Sequence, residues 1–480
     1  MKGASRQGRD WLTRGSLVKL VVTSCALAVF LWLSSTSIQN RILGVILLAL
    51  VLWSLYPRHY LVTSIAVIAL LSLFEAALSP QEFIGSVFST YGQSGLWIVL
   101  SGFILSTAME VSGLAHRIAF WIVEALGGDP NRVVLSVALA NLAIAPLSPS
   151  TTAKAFMILP ICDGLIEAFE VKKGSRYGAA VMLMAMAANN IASTAFLTAT
   201  VPNPISAGYI REASGINLGW PEWLKMALPL TAIILVSAWL VCRLLFKPEV
   251  KKSPEAMARI RELTGKLGPM SRQEKLVSVV FSISLVLWIT ERQHGLNGGL
   301  ISLVLCLLLF LPGIGVLGIG GFAHKVPWGS IVLFAASMFL ARAVTRWRAL
   351  DPIAAGIFHL FNLSKLSTFS FIALMVLLSM LLHIAFTSTS LYGVVMVPIA
   401  IGLAELKGLS LGLLAIPVAF LTPLALILPV NTIPNIIFFS SGYFTQKQMF
   451  VYGVIVSLVS VIVILLVGLP IWSLQGLMQL

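Results

Sequence analysis

Two clusters of hydroxyl side chains interrupt long apolar stretches of the chain. Each has three consecutive Ser or Thr residues and a Pro eight positions after the last of them: Ser150, Thr151, Thr152 and Pro160 in the first, and Ser388, Thr389, Ser390 and Pro398 in the second. Corresponding residues are 238 positions apart. Hydroxyl groups, together with the free N–H groups where a helix begins, bind anions. The clusters therefore predict two anion-binding tips, with all six hydroxyl residues as candidate ligands.

A second pair of motifs follows the two clusters. Thr200-Val-Pro-Asn203 matches Thr432-Ile-Pro-Asn435 at an offset of 232 positions. Proline ends a helix and leaves backbone carbonyl groups without partners. The matched breaks predict one two-fold site to which both halves of the chain contribute. Its further candidate residues are Pro202, Asn203, Thr432, Pro434 and Asn435.

Two ionisable residues accompany the clusters. Lys154 lies two positions after the first cluster, inside an apolar segment, where an ammonium group needs a partner or a cavity. One hypothesis is that it balances the charge of a bound anion; the alternative is that it extends to the membrane interface. His383 precedes the second cluster and is a second candidate for a charge or a proton carrier, with a hydrogen-bonded core histidine as the alternative.

A sodium ion is the one cofactor that the sequence leaves open. Hard cations prefer oxygen ligands, so Thr151, Thr389, Asn190 and Asn431 are candidate sodium ligands. The two Asn residues are equally well explained as hydrogen-bonding groups between helices. The four cysteines lie in apolar segments without metal-binding spacing, and we expect no other metal or cofactor.

The composition predicts an all-α membrane protein with many spans. Of the 480 residues, 58% are hydrophobic and 10% are charged, whereas soluble domains carry about 25% charged residues. The apolar runs are continuous and about 16–25 residues long, which suits membrane helices and not membrane β-strands. Lys and Arg in short loops account for the net charge of +14, so we expect a lipid bilayer and no nucleic acid as partner.

We predict about eleven transmembrane helices and two re-entrant hairpins. The expected regions are scaffold helices in 1–94, a first repeat in 95–246 with a hairpin at 128–172, a linker at 247–275, further scaffold helices in 276–326, and a second repeat in 327–480 with a hairpin at 366–406. The expected spans are 17–35, 41–56, 59–79, 95–113, 176–199, 223–246, 276–290, 297–311, 327–345, 409–428 and 447–473, with an external loop at 80–94.

Charge predicts the orientation of these elements. Residues 1–19 hold five Lys or Arg and one Asp, which places the N-terminus in the cytoplasm, and the linker 247–275 is basic as well. Counting spans from there, the two repeats are inverted, the hairpins enter from opposite sides and the C-terminus is external. Matched hairpins and broken helices in inverted repeats are the pattern of a transporter with a midplane site.

These motifs resemble those of the divalent anion/sodium symporter family, which carries dicarboxylates, citrate and sulfate. That family has Ser-Asn-Thr at both tips and Thr-Pro-Pro-Asn after both broken helices. Pro149-Ser-Thr-Thr-Ala-Lys154 is similar to the Pro-Ser-Asn-Thr-Ala-Arg of its citrate and oxoglutarate exchangers, and 428–445 to its Leu-Pro-Val-Ala-Thr-Pro-Pro-Asn and Gly-Tyr-Phe-Thr. The chain departs by having Thr at both tip Asn positions, Val201 and Ile433 at the middle Pro, and Asn189-Asn190 at a Gly-rich turn.

The resemblance implies a homodimeric elevator-type secondary carrier of small di- or tricarboxylates. The size of the chain and the absence of a targeting segment favour the bacterial inner membrane. In the family's sodium-coupled members the tip Asn residues help to hold sodium, so their loss favours anion exchange. Sodium-coupled dicarboxylate symport and transport of sulfate or another oxyanion are the alternatives. An intramembrane enzyme or a channel is a distant alternative, because the sequence has no HExxH motif, no P-loop and only scattered intramembrane carboxylates.

Overall fold

The computed structural model describes residues 14–56, 59–76, 92 and 94–478. The predicted external loop at 80–94 lies outside the described residues except for Gly92 and Ser94. The basic residues before Arg14, on which the orientation of the N-terminus depends, also lie outside them.

Helices account for the regular secondary structure of the described residues, which confirms the all-α prediction. The α-helices are α1 Arg14–Ser34, α2 Ile38–Leu55, α3 Tyr60–Ala76, α4 Ser94–Ser112, α5 Leu114–Leu126, α6 Pro130–Ile144, α7 Thr151–Ala168, α8 Arg176–Ala192, α9 Pro202–Ser214, α10 Trp220–Leu245, α11 Pro254–Gly265, α12 Arg272–Ile289, α13 Glu291–His294, α14 Gly298–Leu307, α15 Ile319–Lys325, α16 Trp328–Trp347, α17 Asp351–Leu360, α18 Thr368–Leu382, α19 Thr389–Leu406, α20 Gly412–Leu421, α21 Ile433–Ser440, α22 Gln446–Val463 and α23 Leu469–Leu474.

The chain divides into two compact units. One consists of residues 1–92 and 328–353; within it α1 packs on α2, and α3 packs on α16. The other consists of residues 93–327 and 354–480 and holds both hydroxyl clusters and both breaks. The candidate site is therefore contained within the second unit.

Eight helical segments of the described chain are long and apolar enough to cross a membrane, and four further apolar helices are shorter. Many large apolar side chains on these helices are exposed, among them Leu240, Val304 and Leu466. This pattern is typical of helices that face lipid. A multi-pass membrane protein is thus confirmed, while the count of eleven spans stays a prediction.

Each hydroxyl cluster stands between a short 3₁₀ turn and a new helix. After α6 the chain makes the turn Ala145–Leu147 before α7 begins, and after α18 it makes the turn His383–Ala385 before α19 begins. Ser150 and Ser388 are the N-caps of α7 and α19, and each side-chain oxygen accepts a backbone N–H of the first turn. Small hydroxyl residues are favoured there because they satisfy N–H groups that have no partner within the helix.

The broken helices differ from the prediction in length. The helix expected at 176–199 ends at Ala192, and the helix expected at 409–428 is Gly412–Leu421. Beyond each break a further helix begins, α9 in the first half and α21 in the second. The reason is that Pro202 and Pro434 occupy the first helical positions, where the missing N–H of proline is not needed.

The linker also contains a helix, which its basic composition did not predict. Ser253 caps α11 and Pro254 is its first residue, and α11 packs on α5 and α7. The end of the linker is held by Arg117, which pairs with Glu274 through its Nε at 2.7 Å from Oε1 and donates to the carbonyl of Gly268. Both side chains are buried. The linker is therefore attached to the base of the first hairpin.

Candidate functional site

The first tip, Pro149–Ser150 with the first turn of α7, is fixed against α4. Ser106 Oγ on α4 donates to Ser148 Oγ at 2.7 Å, and Ser150 Oγ accepts the N–H of Ala153 at 3.1 Å. A Cβ on Gly102 would lie 3.2 Å from the ring of Pro149, so a larger residue there would require the tip to shift by a few tenths of an ångström. Thr151 and Thr152 open α7 and stay partly exposed, so their hydroxyl groups are accessible to a ligand.

The second tip repeats the arrangement of the first. Ser388 Oγ accepts the N–H of Leu391 at 3.5 Å, the pair that corresponds to Ser150 and Ala153 at the offset of 238. Thr389 and Ser390 open α19 and are also partly exposed. All six predicted hydroxyl residues thus lie at helix N-termini, where the helix dipole favours an anion.

The two breaks are held by the same hydrogen bonds. Asn203 Nδ2 donates to the carbonyls of Ser193 at 2.7 Å and Phe196 at 2.8 Å. Asn435 Nδ2 donates to the carbonyls of Ala425 at 2.8 Å and Leu428 at 3.0 Å. All three positions correspond at the offset of 232, so the Asn of each motif closes its own break.

The two halves meet at these breaks. Asn190 Nδ2, on α8 of the first half, donates to Asn435 Oδ1 at 2.8 Å. The second arm of each hairpin packs on the post-break helix of the other half: α7 on α21, and α19 on α9. Both motif Asn residues are fully buried. The structure therefore brings the two breaks and the arms behind the two tips into one assembly.

Lys154 points into the first break and not to the membrane interface. Its Nζ donates to Ser193 Oγ at 2.6 Å and to the carbonyl of Ala199 at 3.0 Å, and the residue is 1% exposed. Both partners are uncharged. The amino group of Lys154 therefore bridges the two sides of the break and lies buried within the site.

His383 occupies a related position in the second half. Its Nε2 donates to the carbonyl of Thr422 at 2.9 Å, and its ring stacks on Tyr392 with 4.1 Å between centroids. Since the acceptor is a carbonyl, Nε2 carries the proton. The geometry agrees with the alternative of a hydrogen-bonded core histidine.

Two of the candidate sodium ligands, Asn190 and Asn431, form hydrogen bonds that hold the breaks together. Asn431 Nδ2 donates to the carbonyls of His383 and Phe386, and Asn431 Oδ1 accepts the N–H of Leu428. Asn190 joins the halves, as described above. Thr432 caps α21 by accepting the N–H of Asn435 at 3.3 Å. Thr151 and Thr389 are the two candidate ligands whose hydroxyl groups remain at the tips.

A cavity of about 430 Å³ opens beside the first tip. Its hydroxyl-bearing residues are Ser106 and Thr107 on α4 and Ser150 and Thr152 at the tip. Small-molecule sites in proteins are clefts of about 300–1,000 Å³ with a few convergent polar groups. The cavity therefore has the size and the donors that a small anion requires.

Three ionisable residues line the same cavity: Glu110, His116 and Lys325. Lys325 Nζ lies 2.9 Å from Glu110 Oε1. Burial lowers the pKa of His116 below its usual value, although the nearby Glu110 carboxylate opposes this shift. The imidazole is thus mainly neutral at pH 7, and Lys325 is the cation of the lining.

Sequence reasoning missed the partners that complete this site. Ser193 and Ala199, which hold Lys154, had no distinguishing pattern, because they lie 39 and 45 residues away from it. Lys325 belongs to the region 276–326, for which the sequence predicts only scaffold helices. Asn189 had a signal in its pair with Asn190; its Nδ2 donates to the carbonyl of Thr151 at 3.0 Å and so holds the first tip.

A helical membrane protein with matched tips and broken helices, and with an anion-sized cavity beside its first tip, has the architecture of a membrane transporter. The family described as "Sodium:sulfate symporter transmembrane region" matches residues 15–478, and the chain belongs to this family. This confirms the resemblance to the divalent anion/sodium symporters.

Individual relatives agree with this assignment, and one solved structure has a similar fold. The chain is 28% identical to the sodium-dependent dicarboxylate transporter SdcS of Staphylococcus saprophyticus, over 88% of this chain and 85% of the relative. It is 25% identical to the citrate/succinate antiporter of Escherichia coli, over 79% of each. The crystal structure of the Alcanivorax borkumensis YdaH transporter superposes with a TM-score of 0.55 at 15% identity, covering 84% of this chain and 91% of that one, which shows a shared fold.

Proposed function

We propose that the protein is a secondary carrier that exchanges small di- or tricarboxylate anions without sodium. The relatives include carriers named for dicarboxylates, citrate and succinate, and the six tip hydroxyls are suited to carboxylates. The observation that carries the exchange mechanism is the buried ammonium group of Lys154 at the first break.

Lys154 donates a hydrogen bond to a backbone carbonyl oxygen that a bound sodium ion would need as a ligand. Sodium is bound by oxygen ligands, and a helix break supplies them as free carbonyls. In the first break the Ala199 carbonyl accepts a hydrogen bond from the lysine, and in the second the Thr422 carbonyl accepts one from His383. Each half thus has a nitrogen donor at a break carbonyl, which supports a carrier whose positive charge is covalently attached.

A fixed charge favours exchange over one-way transport. An ammonium group that crosses the membrane interior unbalanced is costly. A bound carboxylate neutralises it, and the two helix N-termini at the tips add about +0.5 each, so the site's charge of about +2 matches a dianion. The empty carrier keeps this charge and returns slowly, whereas a second anion lets it return quickly.

The test is uptake of labelled succinate into liposomes that contain the purified protein. We expect uptake only when the liposomes hold unlabelled succinate or citrate, at the same rate with sodium or potassium in the medium. Uptake that requires a sodium gradient and no internal anion would instead establish sodium symport. Stronger inhibition of succinate uptake by sulfate than by citrate would establish an oxyanion carrier.

The proposal includes an elevator movement of the hairpins and broken helices, inverted repeats, and a homodimer with a cytoplasmic N-terminus and an external C-terminus. Engineered cysteines test the orientation: a membrane-impermeant thiol reagent added outside should label a cysteine placed at residue 480 and spare one placed at Lys252. Native mass spectrometry of the purified protein tests the dimer.

A further inference from the structure

The cavity beside the first tip has walls of different character at its two ends. At the inner end are the hydroxyls of Ser150 and Thr152. At the outer end is the ion pair of Glu110 and Lys325, whose side chains are 49% and 45% exposed. Glu110 lies four residues after Ser106 on α4, about 6 Å along the helix axis. The pair is therefore one helical turn from the tip.

We propose that Lys325 captures the carboxylate of the incoming substrate at the mouth of this cavity, and that Glu110 is the partner which it releases. The inference rests on the carboxylate carrier proposed above. It assigns a specificity-determining role to a residue outside the tips and breaks: the ammonium group selects anions before they reach the hydroxyl groups of the tip.

The ion pair is suited to such an exchange of partners. A pair that is half exposed to solvent contributes little to stability, because water competes for both groups. Replacing one carboxylate by another at Lys325 conserves its charge interaction and frees Glu110 to water. No covalent step is involved.

The charges of Glu110 and Lys325 at the mouth of the cavity balance each other, so the effect of either one on substrate binding can be measured by removing it. Glu110 and Lys325 cancel, and His116 is mainly neutral at pH 7 because burial lowers its pKa. Removing one partner therefore leaves a net charge of known sign. A charge about 6–10 Å from a bound dianion changes its affinity by about three- to tenfold when water partly screens it.

The experiment measures the KM of succinate exchange in liposomes for three variants, with the cavity side of the protein exposed to the labelled substrate. We expect Lys325→Gln to raise KM by about three- to tenfold and Glu110→Gln to lower it by a similar factor. The double variant should lie between the wild type and Lys325→Gln. Increasing the salt from about 20 to 500 mM should shrink both single effects, because it screens exposed charges.

A second lysine provides the matched control. Lys266 pairs with Glu262 on α11, both exposed, away from the cavity. Lys266→Gln makes the same charge change and should alter KM by less than about twofold. Thermal unfolding of each variant establishes that it is folded.

The outcomes separate the two proposals. If the wild type exchanges succinate and both single variants change KM in the same direction, or neither changes it, the pair has a structural role and the capture proposal is wrong, while the carrier proposal stands. If the folded wild type moves neither succinate nor citrate, the carrier proposal is wrong, and this inference falls with it.

Discussion

The two breaks have the same pattern of backbone hydrogen bonds and differ in the side chain that reaches them from the hairpin. In both, the motif Asn closes the break through carbonyls at matched positions. In the first, a lysine ammonium joins the break to its hairpin. In the second, the residue that corresponds to Lys154 is Tyr392, which is uncharged and supports the ring of His383. The two breaks thus share their hydrogen-bond geometry, while the lysine belongs to one half.

The largest expected effect separates the two corresponding residues. Lys154→Met removes the charge that balances the substrate, and leaving a buried charge unpaired costs about 3–5 kcal/mol, so we expect exchange to fall about 100-fold or more. Tyr392→Phe removes one hydrogen bond to the Ser379 carbonyl and should change exchange less than about threefold. Initial rates of labelled succinate exchange measure both.

The charge itself is tested by Lys154→Arg. Arginine keeps the charge with a different shape, so partial exchange should return relative to Lys154→Met. Equal rates for the Met variant and the wild type, both folded, would rule out charge balance as the role of Lys154.

The next effect compares the two motif Asn residues. Asn203→Ala removes two hydrogen bonds to break carbonyls, whereas Asn435→Ala removes two and also the bond from Asn190. At about 1 kcal/mol for each bond, we expect losses of about 2 and 3 kcal/mol in the free energy of unfolding. In detergent, the Tm of Asn435→Ala should therefore be lower than that of Asn203→Ala, and both should be lower than that of the wild type.

The reverse order would mean that the bond between the halves contributes nothing. Asn190→Ala offers an independent check, because it removes that bond and the longer one from Asn190 to the Ala425 carbonyl, and leaves both motif Asn residues bonded to their own carbonyls.

The smallest effect compares the two caps. Ser150 Oγ is 3.1 Å from its N–H donor and Ser388 Oγ is 3.5 Å from its donor, so the first cap is the stronger. We expect Ser150→Ala to lower the free energy of unfolding by about 1 kcal/mol and Ser388→Ala to lower it by less.

Ser150 also lines the cavity, so its Ala variant should raise the KM for succinate about two- to fivefold. The Thr variants, which retain a hydroxyl, serve as controls; a Ser150→Thr variant as impaired as Ser150→Ala would contradict the assignment.

Local patterns were enough to find the tips and breaks. Ser150 and Ser388 are caps because of their own side chains, and the repeat doubled the signal. The same local chemistry left the helices after the breaks unassigned, because proline predicts the end of a helix as well as the first turn of a new one.

The remainder of the site depends on long-range packing. Lys154 was found as an isolated charge, but its partners Ser193 and Ala199 become neighbours only through the hairpin. Asn190 and Asn435 are 245 positions apart, and no spacing rule connects them. Glu110 and Lys325, 215 positions apart, were equally inaccessible to pattern analysis.

The packing of each hairpin on a helix of the other half has a consequence for biosynthesis. The second arm of the first hairpin packs on α21, so this contact cannot form until the ribosome has made residues 433–440, near the end of the chain. The Lys154 hairpin must therefore wait in the membrane with an incomplete environment while more than half of the protein is synthesised. A chain cut within the linker should yield two fragments that are unstable when made separately and that acquire protease resistance only when they are made together.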